Sequence, residues 1–81
     1  MQERRKATRQ RALKGARIVF NRHFSAIDCT IRNLSPRGAL LQVRSPLGIP
    51  EQFDLQMDAG AVSHPCRVVW RDASRLGVVF G

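Results

Sequence analysis

Tyrosine is absent from this 81-residue chain, and its aromatics are four Phe and one Trp. Single-strand nucleic-acid platforms need exposed rings on which bases stack, so this supply is thin. Cysteine occurs only at Cys29 and Cys66, too few for a disulfide framework. With His23 and His64 the two thiols make a nominal zinc set. Yet no CxxC or HxxxH spacing occurs, and His64 with Cys66 is the only close pair, so no metal site is expected. Acids number six against 14 bases and are scattered. No carboxylate pair accompanies a histidine, no glycine-rich phosphate loop follows a strand, and Ser35 has no local base. Together these absences argue against an enzyme. Apolar runs last only a few residues, which excludes a membrane-spanning helix. The basic start is followed by no apolar stretch of the secretory kind, so a cytoplasmic protein is expected.

What is present is positive charge, unevenly placed. Residues 1–22 hold eight bases and one acid, +7, whereas residues 23–81 hold six bases and five acids, +1. Twelve of the bases are arginine, whose planar fork matches phosphate oxygens and the O6/N7 edge of guanine. A near-neutral body thus carries a cationic arm, and the first partner to expect is an anion, phosphate above all. Hydrophobic residues at 43% and a length fit for one small domain indicate a globular body with a thin core.

From Ala16 onward the apolar period is two. Ala16/Ile18/Phe20, Ile27/Cys29/Ile31, Ala39/Leu41/Val43, Phe53/Leu55/Met57, Cys66/Val68/Trp70 and Leu76/Val78/Phe80 each alternate with the residues between them. Six strands follow, joined by turn chemistry at Ser35-Pro36-Arg37-Gly38, Ser45–Pro50, Asp58-Ala59-Gly60 and Asp72-Ala73-Ser74. In the first of these Gly38 leaves a positive φ open to the chain. Pro65 has no N–H for a ladder, so the fifth strand is expected to start at or after it, or to lie at an edge there. The fold class is all-β, a small six-stranded antiparallel barrel over 15–81, preceded by a flexible arginine-rich arm over 1–14. On this alternation Phe20, Phe53 and Phe80 fall on core faces, and Trp70 shares the Cys66/Val68 face, where a core or barrel-end place is favoured over stacking on a base.

Two constellations carry the functional signal. Arg5-Lys6-Ala7-Thr8-Arg9, preceded by Arg4, sets two arginines four apart on the arm, and Asn33-Leu34-Ser35-Pro36-Arg37-Gly38 leaves the cleanest strand as a polar turn. Each alone is commonplace. Their order and separation, the Gly-Ala-Leu-Leu strand after the turn, and the ending Cys66–Arg71 with Gly77–Phe80 together resemble the PilZ domain family over nearly the whole chain. That resemblance implies a receptor for the second messenger cyclic di-GMP. It assigns Arg5 and Arg9 to the RxxxR motif, and Asn33, Ser35 and Gly38 to the [D/N]xSxxG motif. Asn33 would accept from a guanine N–H and Ser35 would offer a hydroxyl. Gly38 would give a purine access to backbone or simply permit the turn. Arg4, just before the first motif, would either help hold a stacked pair of ligands or point into water.

No cofactor beyond that ligand is implied, and the output would pass to an unidentified protein partner or fused domain. Many PilZ domains also carry a C-terminal helix, whereas this sequence ends just after the last strand. A minimal member, or a piece of a longer protein with an exposed barrel end, is the expectation. Two other readings stay open. One is a basic small-barrel nucleic-acid module, against which the placement of the aromatics argues. The other is a PilZ-fold adaptor that takes no ligand.

Overall fold

A computed structural model describes residues 10–81. Six strands make up the fold: β1 (Gln10–Phe20), β2 (Ser25–Leu34), β3 (Gly38–Gln42), β4 (Gln52–Met57), β5 (Val62–Arg71) and β6 (Arg75–Phe80). They close into an antiparallel barrel in the order β1-β2-β3-β6-β5-β4. A single 3-10 turn, Asp58–Gly60, joins β4 to β5.

Alternation explains the interior. Ile18, Ile31, Leu41, Leu55 and Leu76, one from each of five strands, are fully buried, and Cys29, Phe53, Met57, Cys66 and Val78 pack around them. Among the described residues no polar or charged side chain is buried. The segment between β3 and β4 turns inward and adds Val43 and Ile49 to the core. It is fastened from three sides: Val43 N donates to Ser74 O (2.8 Å), Val68 N donates to Glu51 O (2.8 Å), and Arg71 Nη1 donates to Ile49 O (3.0 Å). Both cysteines are free, and burial pushes each thiol up to about 12.

Several expectations from the sequence are corrected. The first strand starts at Gln10 rather than near Ala16, because residues 10–15 lie along β2 in a backbone ladder that needs no apolar face. Residues 10–14, read as arm, therefore belong to β1. The fifth strand begins at Val62 rather than at or after Pro65, and the other alternative holds, since Pro65 lies at an edge on its β6 side. There the missing N–H costs little, since β6 ends at Phe80 opposite Cys66 and the Pro65 carbonyl accepts from Gly81 N (3.0 Å). Trp70 is not in the core. It is 45% exposed, on the outside of the barrel.

The cause is a bulge. Val68 pairs with Val78 and Trp70 with Gly77, so Val69 has no partner across the ladder. One extra residue inverts the alternation beyond it. The same device acts on β2, where Ile31 pairs with Leu41 and Asn33 with Leu40, leaving Arg32 over. Asn33 turns outward and Leu34 packs against the core. A third register shift lies between Arg11 and Lys14 on β1.

Candidate ligand-binding face

The three shifts fall at one level of the barrel, and the register makes a row there. Arg11 of β1 pairs with Asn33, Asn33 with Leu40, Leu40 with Gly77, and Gly77 with Trp70. Bulges commonly re-aim side chains beside binding sites, and here they bring an amide, an aliphatic side chain and an indole onto one outer face. Gly77 is the floor of it. A Cβ there would collide with the indole of Trp70, so the ring lies across the bare backbone of β6.

The turn at the lower rim is built by Ser35. Its N donates to Gly38 O (2.9 Å), and its Oγ accepts from Gly38 N (3.2 Å) and Arg37 N (3.3 Å). The Arg37 carbonyl in turn accepts from Phe80 N (2.7 Å), which ties the turn to β6. Gly38 does not use the positive φ that glycine leaves open in the turn. Its bare Cα is needed because a Cβ would collide with the Val78 carbonyl oxygen. Both residues thus shape the turn: the Ser35 hydroxyl is occupied by backbone, and Gly38 lets β3 approach β6.

At the upper side of the row stands Arg75, its guanidinium carbon 5.8 Å from the Trp70 ring centroid. Asp72 holds it there, Oδ2 accepting from Arg75 Nη2 (2.7 Å) and Nε (3.0 Å). The other carboxylate oxygen accepts from Ser74 N and Arg75 N, closing the β5–β6 turn. The hydrogen bond from Arg75 and that from the Ser74 amide keep the Asp72 carboxyl below its ordinary 3.8. Arg32, displaced by its bulge, reaches Gln42 on β3.

The row borders an open cleft of about 370 Å³ lined by Asn33, Ser35, Arg37, Gly38, Leu40, Trp70 and Gly77, among others. Of the residues expected from the sequence, Asn33, Ser35 and Gly38 are brought together. Arg4, Arg5 and Arg9 lie outside the described residues. The first described residue, Gln10, pairs with Leu34, next in sequence to Ser35. Sequence reasoning missed Arg37 and Arg75, and for Trp70 it favoured the core or barrel end over the outward, base-stacking alternative. The available signal was Gly77, a glycine inside a strand, which often marks close approach of another group.

Chemically the face offers a flat ring, a side-chain amide and, at the turn, the Arg37 guanidinium, a set able to stack on and hydrogen-bond a purine and to pair with phosphate. It offers no activated nucleophile, since the Ser35 hydroxyl is bonded only to its own turn. Among the described residues no group of three or more His, Cys, Asp and Glu side chains is placed to hold a metal ion. No curated protein matches the chain. A family model, PilZ domain, matches residues 3–81.

Proposed function

The chain belongs to the PilZ domain family, a family of cyclic di-GMP receptor domains, and on that premise we propose that it binds cyclic di-GMP on the Asn33–Trp70 face. The observation that carries this reading is the register row. It sets Asn33 and Trp70 on one face, in a row that begins at Arg11 of β1. Asn33 accepts from a guanine N–H, the Trp70 ring stacks on a base, and Arg37 stands at the turn to meet phosphate. Arg5 and Arg9 close over the ligand as a clamp. Arg4 adds a third fork, enough to engage the four phosphate charges of a stacked ligand pair. Ser35 and Gly38 act by shaping the turn that presents Asn33 and Arg37.

Ordering a segment costs about 1–2 kcal/mol per residue fixed, so several charge-assisted contacts must offset it. The closed clamp then alters the surface offered to a protein partner, which is the receptor's output. Calorimetry with cyclic di-GMP, and single-stranded RNA as control, tests the reading. Saturable binding of the dinucleotide is expected, weakened at least tenfold by Arg9→Ala, because a hydrogen bond to a charged group contributes about 1.5–3 kcal/mol. A stoichiometry near two that falls toward one in Arg4→Leu supports the stacked pair. Preference for RNA, or no binding of either, overturns the receptor reading.

A further inference from the structure

The barrel closes along a short line, since β1 meets β4 only at Arg17, Ile18 and Val19. Just past that line β1 ends in a tight turn into β2. There Phe20 O accepts from His23 N (3.0 Å), and the two residues between, Asn21 and Arg22, both carry a left-handed φ, 56° and 57°. Hairpin turns of this hand favour Asn followed by Gly, because glycine takes the second conformation without steric cost. Here the second place holds an arginine. His23 follows with φ 71°, and its Nε2 donates to Asp54 Oδ2 on β4 (3.3 Å), bracing the turn against the barrel wall. Backbone strain of this kind gathers at ligand clamps and other functional sites.

Beside the turn lies an open cleft of about 650 Å³, a size that suits a small molecule, and none of its lining residues borders the Asn33–Trp70 cleft. Val19 pairs with Asp54, so continuing that register brings the turn level with Gln52, and Gln52 pairs with Arg67 on β5. Arg22 and Arg67 thus stand on either side of β4, two strand spacings or about 10 Å apart in the backbone. Two arginine side chains span such a gap. Both are exposed, and among the described residues neither has a hydrogen bond or ion pair. Asp54, the acid that lines the cleft, is bonded to His23 instead. The exposed Gln52 lies between the two arginines, and Pro50, Pro65 and the half-buried Phe20 supply apolar surface beside them. Two guanidinium forks from separate elements, with no anion of their own, match one carboxylate or phosphate group.

We propose that this cleft binds a small organic acid, its carboxylate or phosphate held between Arg22 and Arg67 and its apolar body laid against Pro50 and Pro65. The site does not depend on ligand binding at the Asn33–Trp70 face.

The test is an NMR titration of the isotope-labelled full chain with four probes. Phenylacetate and phenyl phosphate are the acids, phenylethanol is the neutral counterpart and inorganic phosphate the bare anion. Saturable shifts at the amides of Asn21, Arg22, His23, Gln52 and Arg67 are expected with at least one acid, with a midpoint below about 1 mM that rises with salt. The tighter acid identifies the group that the arginines hold. Arg67→Gln should weaken binding at least roughly tenfold, the worth of a charge-assisted contact. Arg22→Gly should do the same while leaving the urea midpoint unchanged or raised, since glycine relieves the left-handed φ. That pairing separates a lost contact from a damaged fold. The proposal is overturned by no saturable shift with either acid at about 10 mM. Equal binding of phenylethanol or of inorganic phosphate, shifts confined to the Asn33–Trp70 cleft, or undiminished affinity in either variant would overturn it too.

Discussion

The indole of Trp70 rests on the bare backbone of Gly77, one strand away, and the two are register partners. A methyl group at position 77 cannot coexist with the ring in this position. Gly77→Ala is therefore expected to swing Trp70 off the wall and away from Arg75. Its fluorescence should shift, and cyclic di-GMP affinity should fall at least as far as in Trp70→Ala. An unchanged emission spectrum would mean that the ring is not held there.

Trp70→Ala separates binding from stability. A fully buried tryptophan costs about 3–5 kcal/mol when truncated. This ring is 45% exposed, so about half that loss is expected in urea unfolding, together with a clear loss of ligand affinity. A loss near the upper end would return the residue to the core.

Ser35→Ala removes the acceptor that gathers the amides of Arg37 and Gly38. A loss of about 0.5–1.5 kcal/mol is expected, the worth of an ordinary hydrogen bond. Gly38→Ala should cost more, about 1–3 kcal/mol, because its Cβ meets the Val78 carbonyl rather than a movable side chain. Chemical denaturation of both variants checks the order, and the reverse order would place Gly38 in a looser turn than described.

These positions also show where sequence reasoning ends. Six strands, their turns and most core residues were legible because an apolar side chain every second residue must face inward. A bulge leaves no such mark. Nothing in Cys66–Arg71 says that Val69 is supernumerary, and with that one residue uncounted Trp70 is carried to the wrong side. The start of β1 was hidden for a different reason, since residues 10–15 are held by the ladder to β2 rather than by an apolar stripe. Asn33 and Ser35 stood out as a motif and both line the cleft, but the motif could not say that the Ser35 hydroxyl is spent on its own turn.

Ala59 carries a left-handed φ of 57° in the β4–β5 turn, a conformation that a side chain resists and glycine does not. Ala59→Gly is expected to stabilise the domain by about 0.5–1 kcal/mol, read from the urea midpoint. Destabilisation would mean that the methyl group has packing the turn depends on.

The buried thiols set the alkaline limit. In the unfolded chain they ionise near their ordinary 9.0, whereas burial holds both protonated to about 12 in the fold. The folded state then binds more protons than the unfolded one, so stability falls as pH rises through that window. A Cys29→Ala/Cys66→Ala variant, although less stable at neutral pH, should show a shallower decline. Equal slopes would assign the decline to other groups.

The line where β1 meets β4 has a thermal consequence. So few rungs join the two strands that closure leans on oil rather than on hydrogen bonds, with Ile18 and Leu55 fully buried as partners at its centre. Apolar attraction weakens on cooling while backbone ladders hold. The tube is thus most prone to part at this line in the cold, uncurling into an open sheet whose other ladders stay intact.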